Sequence, residues 1–272
     1  MPEIAEVETV RRTLKKRILN KRIKNIEVIY RGTIDSEEDI NNLIGESFKD
    51  IKRIGKYLVF ETEKYYLLSH LRMEGKYFLK SIDEDIVNHE HVIIVFEDGT
   101  DMRYHDTRKF GKMNLITKDR LYLVSGIAKL GIEPLNSNLT GEYLISKLNR
   151  KVPIKTLLLD QTIINGLGNI YADEVLFDAR INPLTLGCEL DLNDCNSLVK
   201  SSNKIISKAI DMGGTTIKSY TSSLGVTGRF QQELKVHQRQ FFSCYLCGTH
   251  ITKIKVGGRG TYFCSKCQKT RD

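Results

Sequence analysis

No apolar run in the 272 residues approaches the length that crosses a bilayer. The opening MPEIAEVETV carries three glutamates where a secretory leader would be basic and then apolar. A membrane-spanning or signal-led secreted protein is therefore not expected. The expected setting is a reducing bacterial cytoplasm. No internal repeat and no low-complexity tract is present, which argues against a solenoid or a disordered chain. Acidic residues nearly vanish toward the end. From Lys200 to Asp272 there are 13 Lys and Arg against 3 Asp and Glu, whereas the first 199 residues hold 29 against 31. The formal net charge of +8 thus sits in the last quarter. Such an excess suits a polyanion, nucleic acid first, and also a solubilising surface; charge alone allows both.

What is present is a soluble, globular composition, 40% hydrophobic and 28% charged, on a chain long enough for two domains. Of six cysteines, four are spaced Cys244-x2-Cys247-x16-Cys264-x2-Cys267. Two knuckles of two thiolates, joined by a hairpin, can share one tetrahedral zinc ion. A disulfide pair would suit a secreted protein better than this one. Cys188 and Cys195 lack a second pair and read as ordinary thiols.

The spacing of Ile4, Val7, Val10, Leu14 and Ile18 predicts a helix over 4–18, with Arg11, Arg12, Lys15, Lys16 and Arg17 on its other faces. Pro2 and the glutamates that follow suit a helix start, because proline needs no N–H partner there and acids favour the positive end of the dipole. Chemistry at the chain terminus would explain the same residues. From about 22 to 117 the segments KYLVFETE, YYLLSHL, GKYFLK, HVIIVFEDG, DMRYHD and KMNLIT predict short strands, with Asp98-Gly99 as a hairpin turn. They point to a β-sandwich or barrel. A polar stretch over 132–150 reads as a link. Beyond it the pattern is helical: one helix starts near Pro153, a second follows NGLGN with Asn169 as N-cap, and a third runs over about 193–212 to Gly213-Gly214. A loop rich in Ser, Thr and Gly spans 215–228, and the four-cysteine segment closes the chain.

Several motifs then occur in one order: PEIAEVETVRR, RIGKYLVF (53–60), SHLRMEGKY (69–77), HDTRKFG (105–111), LLLDQTIINGLGNIYADEVLF (157–177) and GGRGTYFCSKCQ. Nearly end to end, the chain resembles the formamidopyrimidine-DNA glycosylases of bacteria, which remove 8-oxoguanine and ring-opened purines. The resemblance implies an α+β fold. Its parts would be an N-terminal catalytic β-sandwich domain with flanking helices over 1–131, a linker over 132–150, a helix–two-turn–helix DNA-binding domain with a lesion-capping loop over 151–228, and a zinc finger over 229–272. It implies a bifunctional glycosylase and abasic-site lyase, a monomer acting on nucleoid DNA, with one structural zinc ion held by Cys244, Cys247, Cys264 and Cys267.

The resemblance also assigns roles. Pro2, once Met1 is removed, is the nucleophilic amine that forms a Schiff base with deoxyribose C1′. An α-amino group titrates near 8, and the helix dipole lowers it further, which leaves free amine at neutral pH. Glu3 protonates the sugar oxygen as the ring opens, with Glu6 one turn on in support. Lys56 contacts phosphate and donates a proton in β-elimination. Arg259, at the hairpin tip between the knuckles, clamps phosphate and donates in δ-elimination. Met73, Arg108 and Phe110 fill the stack and face the orphaned cytosine after the lesion is extruded. His70, His89, Lys151, Asn169 and Lys253 match DNA-contacting positions. Three departures are expected to bear on DNA binding. Ala5 replaces a proline, which would loosen the helix start. Thr107 replaces a frequent proline, which would loosen the wedge loop. KVHQRQFFSC replaces a tyrosine-glycine-arginine stretch, so His237 stands at a phosphate-contacting tyrosine. Two other readings fit: the sister class that excises oxidised pyrimidines, and a DNA-binding zinc-ribbon protein without catalysis.

Overall fold

The computed structural model describes residues 1–215 and 228–269. The expected lesion-capping loop therefore lies, apart from its ends, outside the described residues. The chain forms two compact units. The first comprises Met1–Ala128 and Gly213–Arg229, and the second comprises Lys129–Met212 and Phe230–Asp272.

In the first unit, helix α1 (Ile4–Ile18) runs as its periodicity predicts and buries Val7, Val10, Leu14 and Ile18. Eight strands follow in two antiparallel sheets. One has the order β1 (Ile23–Val28), β6 (Glu90–Phe96), β7 (Thr100–His105), β5 (Lys76–Ser81). The other has the order β2 (Asp50–Ile54), β3 (Tyr57–Glu61), β4 (Tyr65–His70), β8 (Lys112–Thr117). Both sheets and α1 share one apolar core. Phe60 of β3 meets Tyr77 of β5 at 5.7 Å between ring centroids, and Tyr77 meets Tyr104 of β7 at 5.3 Å. Aromatic contacts thus join the two sheets. Gly99 takes φ +82° in the β6–β7 turn, as the Asp-Gly pair requires. A four-residue helix, α2 (Ser125–Ala128), ends the unit's main segment.

The second unit is helical. The stretch expected as a link holds α3 (Gly141–Leu148), capped by Thr140, whose hydroxyl accepts from the Tyr143 N–H. Helix α4 (Ile154–Leu158) follows Pro153 and stops after five residues. Asp160 and Gln161 then hydrogen-bond the surrounding turn, with Gln161 reaching the backbone of Leu159, Gly166 and Leu167. Helix α5 (Asn169–Asp178) has Gly168 as its N-cap, one residue before the expected Asn169, and buries every residue from Ile170 to Phe177. Helix α6 (Leu192–Asp211) starts on a reciprocal Asp191–Asp194 cap and ends before Gly213 and Gly214, both at positive φ. Both α3 and α5 pack on α6. The closing hairpin pairs β9 (Thr252–Val256) with β10 (Arg259–Phe263).

Candidate active site and DNA-contacting residues

Glu3 is the N-cap of α1, so Pro2 lies just ahead of the helix rather than in its first turn. Both are buried, Glu3 to 3% exposure. Glu6 fixes this end. Its Oε2 accepts the Glu3 N–H at 2.9 Å, and its Oε1 accepts both the N–H and the hydroxyl of Thr215, at 2.7 and 3.0 Å. Gly214 makes that approach possible, because it sits at φ +75° and a Cβ there would lie 2.6 Å from Glu6 Oε1. Ala5 does not open the helix start: it is fully buried, and its carbonyl accepts from the Thr9 hydroxyl.

Lys56 occupies the β2–β3 turn after Gly55, which is at φ +58°. It is buried. Glu8 holds this hairpin against α1. Its carboxylate meets Arg53 at 3.2 Å and also Arg11 and Arg12, while Arg11 donates to the Ile51 carbonyl. Burial pushes the Glu8 carboxyl up, and the three arginines outweigh it and hold it below its ordinary range. The same helix therefore positions Pro2, Glu3 and the lysine turn.

His70 pairs with Tyr57 across β3 and β4, with the rings edge-on at 4.6 Å. Burial first, then the positive charges of Arg72 and Lys56, pushes its imidazole down to about 3. Its Nδ1 accepts the Arg72 N–H at 3.0 Å, which puts the single proton on Nε2. A neutral imidazole with an Nε2–H is a donor for a phosphate oxygen.

Met73 lies half-buried in the turn after β4. Arg108 and Phe110 stand on an exposed loop whose shape comes from the buried Asp106. Asp106 accepts the backbone N–H groups of Arg108, Phe110 and Gly111 at 3.0, 3.0 and 2.8 Å. The Arg108 guanidinium lies 4.7 Å from the centroid of the Phe110 ring, which is 51% exposed. Thr107 does not leave the loop loose: its hydroxyl bonds Glu74, tying it to the Met73 turn. His89, exposed and at φ +73°, accepts the Asp106 N–H on its carbonyl. The sandwich thus gathers Met73, Arg108 and Phe110 on two linked turns.

In the second unit, Val256 pairs with Arg259 across Gly257-Gly258, both at positive φ. This two-residue loop needs two left-handed residues, which the glycine pair supplies. Arg259 and Lys253 are exposed on the hairpin, and Lys151 is exposed before Pro153. Asn169 donates to the Gly260 carbonyl at 2.8 Å, so α5 braces the arginine hairpin. His237 turns inward. It is 6% exposed, and its Nδ1 meets Asp173 Oδ2 at 2.7 Å, while Asp173 Oδ1 holds the fully buried Lys155 at 2.6 Å. The neighbouring Glu174 accepts the N–H groups of Lys235, Val236 and His237.

The sulfurs of Cys244, Cys247, Cys264 and Cys267 all lie within 4.8 Å of one another, with pairs at 3.4 and 3.9 Å. Tetrahedral zinc with Zn–S bonds of about 2.3 Å separates its sulfurs by about 3.8 Å, so the four thiolates fit one structural zinc ion. Cys195 is buried, which pushes its thiol up to about 11, and Cys188 is exposed away from this cluster.

Sequence reasoning missed Glu8, Asp106, Asp173 and Glu174. Only Asp106 carries a local signal, an aspartate opening a polar turn. The others each have a partner that only the fold supplies: Arg53 for Glu8, 45 positions on, and His237 for Asp173 and Glu174, 64 and 63 positions on.

Residues 1–113 match the formamidopyrimidine-DNA glycosylase N-terminal domain, residues 130–221 its H2TH domain, and residues 244–270 the zinc finger found in FPG and IleRS. The chain is 45% identical over 276 residues to the formamidopyrimidine-DNA glycosylase of Halalkalibacterium halodurans, covering 99% of this chain and 100% of the relative. Its structure is similar to that of wild-type Lactococcus lactis Fpg in complex with a DNA containing N7-benzyl-Fapy-dG. The TM-score is 0.93 at 41% identity, over 99% of this chain and 100% of that one. It is also similar to wild-type Lactococcus lactis Fpg bound to a DNA containing an oxidised pyrimidine, with a TM-score of 0.92, 41% identity and the same coverage. The chain belongs to the formamidopyrimidine-DNA glycosylase family of base-excision-repair enzymes, DNA glycosylases with abasic-site lyase activity.

Proposed function

We propose that this protein excises oxidised purines, 8-oxoguanine and formamidopyrimidines, from duplex DNA as a monomer and cleaves the strand by β,δ-elimination. Pro2 directly ahead of the α1 N-cap, with Glu3 as that cap and Glu6 fixing it, carries the reading. While Met1 is attached, the Pro2 nitrogen is an amide and has no nucleophilic lone pair. Removal of Met1 leaves a secondary amine at the positive end of a helix, where the dipole favours its neutral form.

The amine attacks C1′, and the base departs with the electrons of the glycosidic bond. Glu3 protonates the sugar ring oxygen as the C1′–O4′ bond opens. Loss of the nitrogen's proton frees the lone pair that forms the iminium as that bond opens; removal of a C2′ proton then sends its electron pair into the iminium, and the resulting enamine expels the 3′ phosphate with the C3′–O electrons. A second elimination expels the 5′ phosphate. Lys56 and Arg259 are the proton donors for these two steps. Phosphate is held by His70, His89, Lys151, Asn169 and Lys253, while Met73, Arg108 and Phe110 occupy the space of the extruded base. The setting that suits this work is the bacterial cytoplasm, on nucleoid DNA; among the described residues no helix is long and apolar enough to cross a membrane.

The test is base release and strand cleavage by Met1-free protein on an 8-oxoguanine:C duplex. Glu3→Gln should lose base release while still binding the duplex. An unchanged rate of base release would remove Glu3 from the chemistry. The similarity to an Fpg complexed with oxidised-pyrimidine DNA makes lesion range a second question. Excision of thymine glycol faster than 8-oxoguanine would assign the chain's preference to pyrimidines.

A further inference from the structure

The first zinc knuckle carries side chains that neither the zinc site nor the proposed DNA contacts use. Phe241, Phe242, Tyr245 and Leu246 are 75%, 63%, 64% and 55% exposed. Scattered exposed apolar residues are ordinary, but here four fall within six positions, and two of them, Phe242 and Tyr245, lie against one guanidinium, that of Arg239, at 5.9 and 3.7 Å from their ring centroids. Phe241 also sits at φ +69°, a conformation that bulky side chains adopt only where surrounding structure imposes it. Here the knuckle imposes it: the Phe241 N–H donates to the Ile251 carbonyl at 3.1 Å, and the Ile251 N–H to the Phe242 carbonyl at 2.9 Å. Glycine would fill this backbone position without strain, and the chain instead presents an aromatic ring to solvent.

Beside the knuckle lies a groove of about 450 Å³. Its floor is Phe177, Ile205 and Phe230, and Tyr245 and Leu246 form one wall. Its rim carries Arg180, Lys204, Lys208 and Lys235 against Asp178 and Glu233, a balance of four cations to two anions. Glu174 also lines the groove, but its carboxylate is committed to the three backbone N–H groups at 235–237. Tyr245 is flanked by two cations, Arg239 at 3.7 Å and Lys235 at 4.9 Å from its ring centroid. The groove is therefore an apolar slot with a positive rim, of a size that takes one or two side chains.

We propose that this face of the zinc knuckle docks an acidic peptide segment of another protein, with aromatic or aliphatic side chains between its carboxylates. The apolar side chains enter the slot over Phe177 and Ile205, and the carboxylates meet Arg180 and Lys235, which is held only loosely by Glu233 at 3.9 Å, whereas Lys204 and Lys208 are taken by Asp178 and Glu233. A nucleic-acid strand fits less well. Asp178 and Glu233, which pair with Lys204 and Lys208 at 2.6 and 2.7 Å, would oppose an evenly charged backbone. The apolar floor also offers base edges nothing to hydrogen-bond. A peptide can place apolar residues opposite those acids.

The experiment is a fluorescence-anisotropy titration of the zinc-loaded full chain with three labelled probes. These are a twelve-residue peptide of Asp alternating with Phe and Leu, the same peptide with Lys for every Asp, and a twelve-nucleotide oligothymidine. The acidic peptide should bind at micromolar concentration, and the basic one at least about tenfold more weakly. In the Arg180→Glu, Lys235→Glu double variant that order should reverse. Phe241→Gly should raise the thermal midpoint by relieving strain and yet weaken the acidic peptide at least about tenfold. Phe242→Ser, at a ring lying outside the zinc cluster, should weaken it in the same direction with zinc content unchanged. Equal binding of the two peptides, or full acidic-peptide binding by both Phe241→Gly and Phe242→Ser, would overturn the proposal. So would oligothymidine binding tighter than the acidic peptide and lost in the same variants, which would make the face a single-strand site.

Discussion

Glu6 connects the proposed nucleophile's segment to Thr215 through one carboxylate and three hydrogen bonds. Glu6→Gln keeps the size and loses the charge that strengthens these bonds. Trapping of substrate on Met1-free Glu6→Gln should fall by about tenfold or more, because a misplaced N-terminus forfeits orientation; single-turnover kinetics would show it. His70 gives a pH signature of its own. Its folded-state value, about 3, lies below the ordinary 6.5, so between those values the unfolded chain binds a proton that the native state refuses. Its contribution to stability is therefore full above pH 6.5 and declines as pH falls toward 3. At pH 5 the loss relative to pH 7 should be about 1–2 kcal/mol by urea unfolding, and His70→Asn should show a correspondingly smaller loss. An identical pH dependence for the two proteins would mean that His70 is not held neutral.

At the scale of elements, the buried Lys155–Asp173–His237 chain ties α4 and α5 to the segment that leads into the zinc finger. Lys155→Met removes the fully buried cation beside Asp173, and breaking such a pair costs about 3–5 kcal/mol. Thermal unfolding should show the loss, and Asp173→Asn added to it should restore part. Elements whose periodicity is local were legible from sequence: α1, β3 to β8, α6 with its glycine stop, and the Gly257-Gly258 hairpin. Strands β1 and β2 were not. They are edge strands whose isoleucines, Ile23 and Ile26 in one and Ile51 and Ile54 in the other, stand three apart among Lys24, Glu27, Asp50, Lys52 and Arg53, so the period of two that marks a strand is missing. Helix α3 was hidden in a polar stretch because only one face, with Leu144 and Leu148, is buried. The metal site was legible, because the Cys-x2-Cys spacing on either side of a hairpin is enough to bring four sulfurs together; the roles proposed for Pro2, Glu3 and Arg259 rest on the resemblance. A residue's place was not legible where it depends on a distant partner: His237 looks outward by sequence and is drawn inward by Asp173, and Thr107 gains Glu74.

For the whole molecule, charge and metal give the broad tests. With 13 cations against 3 anions after residue 199, and Lys56 and Lys151 added from elsewhere, duplex affinity should fall steeply with salt. A log–log slope near zero would contradict the phosphate roles of Lys56, Lys151, Lys253 and Arg259. Chelation should unfold the finger, whose small apolar cluster of Phe177, Val236 and Ile251 is built around Cys244 and Cys264, and leave the β-sandwich core intact. Circular dichroism with the zinc chelated would show partial loss of structure; loss of the entire fold would mean the sandwich depends on the metal.

Pro2 should be the nucleophile once Met1 is gone. Borohydride trapping on an 8-oxoguanine:C duplex, read together with intact mass, tests it most directly. Met1-free protein should give a covalent protein–DNA adduct, attached at Pro2 by peptide mass mapping, and protein that retains Met1 should give none. An adduct of equal yield from the Met1-retaining form, or attachment at a lysine, would contradict it.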